Sequence, residues 1–406
     1  MNTTRDYAVV TAAYLGFTLT DGALRTLVLL HFYQLGYSTF TLALLFLLYE
    51  FAGIVSNLGG GWLAARFGIT RMLAIGVALQ ISGLLMLSAL DPSWRAGVSV
   101  TWVVLAQGVS GVAKDLTKTA SKSAIKLTAS AASGALFRWV AWFTGSKNAM
   151  KGVGFFLGSA LLGLVGFNAA LWTMAAGLST VLAGVLIALP PLLGKAKPSR
   201  SAREFLAKSR GVNLLAAARI SLFGAREVWF VVGLPVFLYT SGWTFTGVGA
   251  FLAAWTIGYG AVQALTPALV GHSADGLSRE VPAARWWALG LAAIPALLGA
   301  LLATAPAHPD LVVAGGLALF GVAFSINSAL HSYLILAYAG SEKAAEDVGF
   351  YYAANAAGRL LGILLSGLLY QAYGMVGCLF GSAALLVVSW VTSLALPVHR
   401  ADPVAA

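Results

Sequence analysis

The chain has 406 residues, of which 59% are hydrophobic and only 10% are charged, and its formal net charge at pH 7 is +11. Soluble domains carry about 25% charged residues, so this composition excludes an ordinary soluble protein. The apolar residues come in blocks of about 20 or more, the length that crosses ~30 Å of hydrocarbon, and such blocks are predicted to be helices because lipid offers the backbone no hydrogen bonds.

Gly, Pro and charged residues divide the apolar sequence into twelve predicted transmembrane helices. The spans cover residues 7–33, 39–64, 72–90, 99–126, 136–166, 168–193, 211–240, 245–270, 286–305, 311–338, 348–372 and 374–397. The start, MNTTRDYAVV, lacks the charged region and cleavage site of a signal peptide, so the first span is expected to be retained. A hydrophilic stretch predicts a cytoplasmic linker at 194–211, between an N-terminal six-helix bundle (1–193) and a C-terminal one (212–406).

Basic residues gather in the loops on one side of the predicted membrane. With the amino terminus inside, the cytoplasmic loops hold Arg66, Arg71, Lys195, Lys197, Arg200, Arg203, Lys208, Arg210, Arg279, Arg285 and Lys343. The opposite loops hold only Arg95. This asymmetry predicts that both termini lie in the cytoplasm. We further expect a monomeric, multi-pass protein of the bacterial inner membrane, surrounded by lipid. Much of the positive charge is therefore a topology signal, which argues against a nucleic-acid partner.

The two predicted halves resemble each other. Span 1 ends in FYQLGYSTFT and span 7 in FLYTSGWTFT, at an offset of 206 residues. This offset aligns Gly36 with Gly242 and places an acid, Asp21 or Glu227, at one position of both halves. Such repeats are typical of transporters whose two pseudo-symmetric halves surround a site at the middle of the membrane.

Many ionisable residues lie inside the predicted spans, where each costs ~3 kcal/mol to insert and usually faces a bundle interior or a water-filled cavity. The cations are Arg25, Lys114, Lys118, Lys147, Lys151, Arg219, Arg226 and Arg359. Lys114 and Lys118 continue to Lys122 and Lys126 at a spacing of four residues, which places them along one helix face. Clustered Lys and Arg side chains attract anions and bind phosphate-like oxygens, so they are predicted to bind an anionic substrate.

The acids inside the spans are Asp21, Glu50, Asp115 and Glu227. A buried carboxylate that a proton or an Arg can neutralise is what a proton-coupled transporter needs, so the four are candidates for proton coupling.

Structural interpretations of the same residues stay open. Asp21 and Arg25 have the i,i+4 spacing of a neutralising pair. Adjacent Arg226 and Glu227 do not share a helix face, so each is expected to pair with another helix. His331 is a hydrogen-bonded packing residue or a proton relay. Near the predicted cytoplasmic end, Lys122, Lys126 and Arg138 extend to lipid headgroups or contact substrate.

No catalytic or metal-binding motif stands in a credible context. The single cysteine, Cys378, excludes an intrachain disulfide and a multi-cysteine metal site, so we expect neither a metal nor a cofactor. HExxH, paired-cysteine and nucleophile-elbow strings are missing from any fitting position, so an enzyme is not expected.

The loop after span 2, GGWLAARFGITR, resembles the loop signature of the major facilitator superfamily. Gly61, Arg66, Gly68 and Arg71 match it, whereas Ala65 replaces the usual Asp. The resemblance implies the all-α major facilitator fold of twelve helices and gives this loop a role in gating. In that fold helices 3, 6, 9 and 12 are outer supports, and these spans hold no charge here.

Longer strings are similar to the organoarsenical efflux permeases of the arsenic-resistance system. They are FTLTDGALRTLVLLHFYQLGY, LLYEFAGIVSNLGGGW, GVAKDLTKTASKSAIKL, FTGSKNAMKGVGFFLG and LFGAREVWFVVGLPVF. The resemblance implies export of 1-arseno-3-phosphoglycerate, made by a glyceraldehyde-3-phosphate dehydrogenase partner, and hence resistance to arsenate. The phosphate and acyl-arsenate groups of this substrate suit the cationic spans, whereas trivalent arsenite would need several thiolates.

Three other functions compete with this interpretation. A transporter of another organic anion or a sugar phosphate would need the same cations. A multidrug exporter of apolar cations would need acids to dominate the spans, which they do not. A membrane-embedded enzyme or sensor would turn over a substrate without moving it.

Overall fold

The computed structural model of the chain describes residues 3–128, 135–190, 208–270, 273, 275–339 and 344–398. Within these ranges every regular element is an α-helix, which confirms the all-α expectation. The helices are α1 (Thr3–Gln34), α2 (Thr39–Leu44), α3 (Leu47–Phe67), α4 (Ile69–Ser88), α5 (Ala96–Thr128), α6 (Ala135–Ala188), α7 (Arg210–Phe230), α8 (Gly233–Thr240), α9 (Phe245–Leu269), α10 (Glu280–Ala303), α11 (Pro309–Tyr338) and α12 (Ala344–Leu394). Nine stretches of described helix are long and apolar enough to cross a membrane.

The longest helices, α6 and α12, each contain two of the predicted spans. The path of each is interrupted by one glycine with non-helical dihedral angles, Gly166 (φ 79°, ψ 176°) and Gly374 (φ 60°, ψ −154°). Both glycines stand where the sequence predicts one span to end and the next to begin. The count of twelve spans stays a prediction, and most of the predicted linker lies outside the described residues.

Glycines with positive φ repeat along the chain. Gly36 (83°) and Gly242 (94°) stand 206 residues apart, as the sequence repeat aligns them. Two more pairs have an offset of 208 residues, Gly68 (80°) with Gly276 (67°) and Gly166 with Gly374. Since L-residues rarely adopt this conformation, three matched pairs support the internal repeat independently of sequence identity.

Replacing Gly166 with alanine is expected to cost about 1–3 kcal/mol of stability, because its dihedral angles are almost exclusive to glycine. An added Cβ there meets nothing within 4 Å, so the cost comes from the backbone alone. The matched control is Gly163→Ala in the same helix, where the Cβ also has open space. That variant should be neutral or gain up to ~1 kcal/mol. Thermal unfolding of the purified variants measures both, and equal unfolding temperatures would contradict the expectation.

The predicted span 7 is divided into α7 and α8. Pro235 lies in the first turn of α8 and has no N–H to donate to the carbonyl four residues earlier, so the helix is interrupted before it. The freed N–H of Gly233 donates to the Ser366 hydroxyl of α12 at 3.1 Å. A side chain of a neighbouring helix thus satisfies the interrupted backbone, as a span in lipid requires.

Two glycine pairs bring helices into close contact. Gly154 and Gly158 of α6 pack on α1, where an added Cβ at Gly158 would lie 2.6 Å from the Thr26 hydroxyl. Gly358 and Gly362 of α12 pack on α7, where an added Cβ at Gly362 would lie 2.7 Å from the Cβ of Glu227. Small residues at this spacing let the backbones of membrane helices approach each other.

The chain forms two compact units. The N-terminal unit comprises Met1–Arg200 and Gly242–Ile257, and the C-terminal unit comprises Ser201–Ser241 and Gly258–Ala406. One core cluster of the N-terminal unit includes Val10, Tyr14 and Leu73, and one of the C-terminal unit includes Val212, Leu215, Leu330 and Tyr351. Large apolar side chains such as Leu164, Ile187, Trp286 and Leu297 remain exposed, as helices facing lipid require. The predicted bundle boundaries stay a prediction.

Candidate functional site

In the N-terminal unit a buried carboxylate joins two of the predicted cations. Glu50, near the start of α3, has no exposed surface. Its Oε1 lies 3.4 Å from Nη2 of Arg25 on α1, and its Oε2 lies 4.0 Å from Nζ of Lys114 on α5. Three helices therefore contribute to one ionic cluster.

An aromatic ring completes this cluster. The Nζ of Lys114 lies 3.7 Å from the centre of the Tyr49 ring, and the Arg25 guanidinium lies 5.8 Å from it. The Tyr49 hydroxyl donates a hydrogen bond to Oδ1 of Asp21 at 2.6 Å. Asp21 and Arg25, predicted as a possible i,i+4 pair, thus each contact a residue of another helix, Tyr49 and Glu50 respectively.

The next cation along α5 has its own partners. Nζ of Lys118 lies 3.5 Å from Oδ1 of Asp115 and donates to the amide oxygen of Asn57 on α3 at 2.8 Å. Asp115 is almost fully buried, and Lys118 is partly exposed. The side chains of Lys122, Lys126 and Arg138 lie outside the described part of the chain, so the interpretations of them stay untested.

In the C-terminal unit two cations flank one aromatic ring of α7. The guanidinium carbons of Arg219 and Arg226 lie 4.0 Å and 4.9 Å from the centre of the Phe223 ring. Arg219 is 3% exposed and donates through Nη1 to the backbone carbonyl of Ser328 on α11 at 3.1 Å. The α-helical spacing of Phe223 from both arginines could have identified it from the sequence.

Arg226 and Glu227 form an ion pair with each other. Because adjacent residues do not share a helix face, the sequence predicted that each would pair with another helix. For this contact the prediction was wrong. A long Arg side chain can fold back along its own helix, and a buried carboxylate such as Glu227, 1% exposed, is costly without a nearby cation.

His331 lies on α11 with no exposed surface. Neither of its ring nitrogens has a hydrogen-bond partner among the described residues, so the hydrogen bond expected of a packing residue is not found there, and both interpretations of His331 stay predictions. The remaining predicted cations are partly buried: Lys147 and Lys151 stand one turn apart on α6, with Lys151 Nζ 5.6 Å from the Phe155 ring centre, and Arg359 stands on α12.

The predicted gate loop is partly described. Gly68 has positive φ and separates α3 from α4, where Arg71 is exposed in the first turn. The side chains around Gly61 and Arg66 lie outside the described residues, so their gating role stays a prediction.

The corresponding C-terminal loop keeps the acid. There Asp275 accepts hydrogen bonds from Ser273, Ser278 and the backbone N–H of Leu277, which hold the pKa of this carboxyl well below its usual range. Asp275 therefore stays ionised at neutral pH, as a loop acid that caps the turn following it should.

A cavity of about 390 Å³ lies elsewhere in the N-terminal unit. Its walls include His31, Asp91, Trp94 and Phe167, and the His31 and Phe167 rings stack with centres 3.9 Å apart. The cavity is lined by none of the predicted substrate-binding or proton-coupling residues, so it is separate from the ionic clusters.

Solved structures of transporters share this fold. The chain is similar to a POT-family transporter in complex with 5-aminolevulinic acid, with a TM-score of 0.76 and 13% identity over 96% of this chain and 95% of that one. For the nucleoside transporter NupG the TM-score is 0.72, with 16% identity over 97% and 98% of the two chains. For the human organic anion transporter MFSD10 it is 0.68, with 15% identity over 97% and 100%.

No family model and no curated protein matches the chain by sequence. At these low identities the structural likeness shows the fold alone, and it supports the expected major facilitator fold.

Proposed function

We propose that the chain is a secondary active transporter that exports an anionic organoarsenical, 1-arseno-3-phosphoglycerate, from the cytoplasm of a bacterium and thereby confers resistance to arsenate. It lies in the inner membrane as a monomer with both termini in the cytoplasm, and its two six-helix bundles (1–193 and 212–406) alternate access. A glyceraldehyde-3-phosphate dehydrogenase supplies the substrate.

The observation that carries the proposal is the excess of buried positive charge. The Glu50 carboxylate is shared by two cations, Arg25 and Lys114. Among the residues that the structure describes, no carboxylate oxygen lies within 4.0 Å of the Arg219 guanidinium. A cation held in a low-dielectric interior is costly unless an anion joins it. A substrate with a phosphate and an acyl-arsenate group supplies that anion, and guanidinium and ammonium groups are its usual partners.

The thiol chemistry argues against trivalent arsenite as the cargo. Cys378 is fully buried, and its sulfur lies 3.7 Å from the backbone oxygen of Ser366. Arsenite is a thiophile that requires several thiolates, and one cysteine cannot provide them.

Proton coupling is the second part of the proposal. Asp21, Glu50, Asp115 and Glu227 are all buried, and three of them lie beside predicted substrate-binding cations. Protonation of such an acid would release its cation for the substrate, and binding of the substrate would favour protonation. This reciprocity is what couples two ligands in one carrier.

Arsenic uptake into everted membrane vesicles tests the function, because their cytoplasmic face is outside. We expect uptake when arsenate, glyceraldehyde 3-phosphate, NAD and the dehydrogenase are supplied together, and none without the dehydrogenase. Lys118→Gln and Lys147→Gln should each lower the uptake about tenfold or more, since a charge-assisted hydrogen bond contributes ~1.5–3 kcal/mol. The matched control is Arg95→Gln in an exposed outer loop, which should transport normally.

The alternative is a transporter of another organic anion or a sugar phosphate, which the same cations would serve. The fold is shared with the human organic anion transporter MFSD10, so the fold is compatible with such a cargo. Vesicles that take up 3-phosphoglycerate or glucose 6-phosphate but show no dehydrogenase-dependent arsenic uptake would exclude the arsenical and establish this alternative.

A further inference from the structure

We propose that Arg219 and His331 form a phosphate-binding subsite within the C-terminal unit, which holds the phosphate group of the transported organic anion. The inference rests on the proposed function for the identity of the whole substrate, but the subsite itself rests on contacts within this unit. His331 is its new member, since the charge pattern of the sequence does not identify it.

Arg219 is a buried cation with unused hydrogen-bonding capacity. A guanidinium has five N–H donors, and here Nη1 donates to the Ser328 carbonyl while Nε has no partner among the described residues. The guanidinium carbon also lies 4.9 Å from the centre of the Tyr351 ring. Aromatic rings and one carbonyl hold the cation in place without neutralising its charge.

His331 lies within electrostatic range of this cation. It follows Ser328 by three residues on α11, so the two side chains share a helix face, and the charge of Arg219 acts on the imidazole. A neutral imidazole has one N–H donor and one acceptor nitrogen. Here both nitrogens are completely buried, and neither has a hydrogen-bond partner within the described part of the chain. Buried polar groups are normally hydrogen-bonded, so this pair of nitrogens indicates a partner from outside the protein.

The surroundings favour an anion as that partner. Arg226, which also acts electrostatically on Arg219, is itself a cation. The Phe223 and Tyr351 rings limit the access of water, and donors in such an environment stabilise charge more strongly than in water. A phosphate monoester carries nearly two negative charges and three acceptor oxygens, which suits donors that come from two helices, α7 and α11.

Binding of glycerol 3-phosphate to the purified full-length protein, measured by isothermal titration calorimetry, tests the subsite. His331→Phe should weaken binding about 10- to 100-fold, because one hydrogen bond to a charged group is lost. His331→Asn keeps an N–H donor and should bind within a few-fold of the wild type. The matched control His31→Phe, in the separate N-terminal cavity, should bind normally. Glycerate, which has no phosphate, should show no dependence on His331.

The unfolding temperature without ligand separates binding from packing. His331→Phe removes two unsatisfied buried polar atoms, so its unfolding temperature should be unchanged or higher. A lower unfolding temperature together with equal losses in the Phe and Asn variants would overturn the subsite, as would unchanged binding in His331→Phe. An equal loss of glycerate binding would overturn the phosphate assignment.

The outcome is independent of the arsenical substrate. If glycerol 3-phosphate binding depends on His331 while dehydrogenase-dependent arsenic uptake is absent, the subsite is supported and the proposed substrate is excluded. If arsenic uptake occurs and its dependence on substrate concentration is the same in His331→Phe as in the wild type, the proposed substrate is supported and the subsite is excluded.

Discussion

Replacing Glu50 with glutamine is expected to destabilise the N-terminal unit by about 3–5 kcal/mol, the typical cost of breaking a buried ion pair. Glu50 is completely buried and lies within 4.0 Å of both Arg25 and Lys114. Glutamine keeps the volume but removes the charge, which leaves two partly buried cations without their shared carboxylate. Thermal unfolding of the purified protein measures the loss.

A second substitution tests whether the ionic contact causes this loss. Lys114→Gln in the Glu50→Gln background removes one uncompensated cation, so the double variant should recover part of the stability. Coupling energies between residues in contact are ~0.5–3 kcal/mol, which gives the size of the recovery. Additive effects of the two substitutions would contradict a direct ionic interaction.

Gly158→Leu is expected to prevent the N-terminal unit from folding to a stable state. Gly158 packs on α1 so closely that even a methyl group would lie 2.6 Å from the Thr26 hydroxyl and closer still to the Ala23 carbonyl oxygen. The obstacle is backbone, which cannot rotate away, and the hydrogen bond from Thr26 to the Phe155 carbonyl crosses the same contact at 3.0 Å. Overpacking usually costs ~1–3 kcal/mol, and a branched side chain against backbone should exceed this range.

The yield of monodisperse protein in detergent is the measurement for this variant. Gly163→Leu in the same helix is the matched control, because a Cβ added there would meet nothing within 4 Å. We expect normal yield for the control, a partial loss for Gly158→Ala and a nearly complete loss for Gly158→Leu. Equal yields of the two leucine variants would show that α1 and α6 do not need this close approach.

The two units use their buried charges differently. In the N-terminal unit Glu50 and Asp115 lie beside Arg25, Lys114 and Lys118. In the C-terminal unit the carboxylate of Glu227 lies beside Arg226, whereas Arg219 contacts rings and a carbonyl.

The sequence determined which segments are helical and which charges lie within them, because hydropathy, helical period and the spacing of Lys and Arg are properties of a single segment. It also indicated the repeat, since Gly36 and Gly242 align at one offset and both have positive φ. The break within span 7 was missed, although Pro235 was a visible signal for it.

Only the tertiary structure decided which charges meet. Glu50 contacts Arg25 and Lys114 from two other helices, and Arg219 contacts Ser328, which is 109 residues away. The unpartnered nitrogens of His331 and the close packing of Gly358 and Gly362 are likewise consequences of neighbours. A helical period gives the face on which a side chain lies, but the partner on that face depends on how the helices pack, which is a property of the whole bundle.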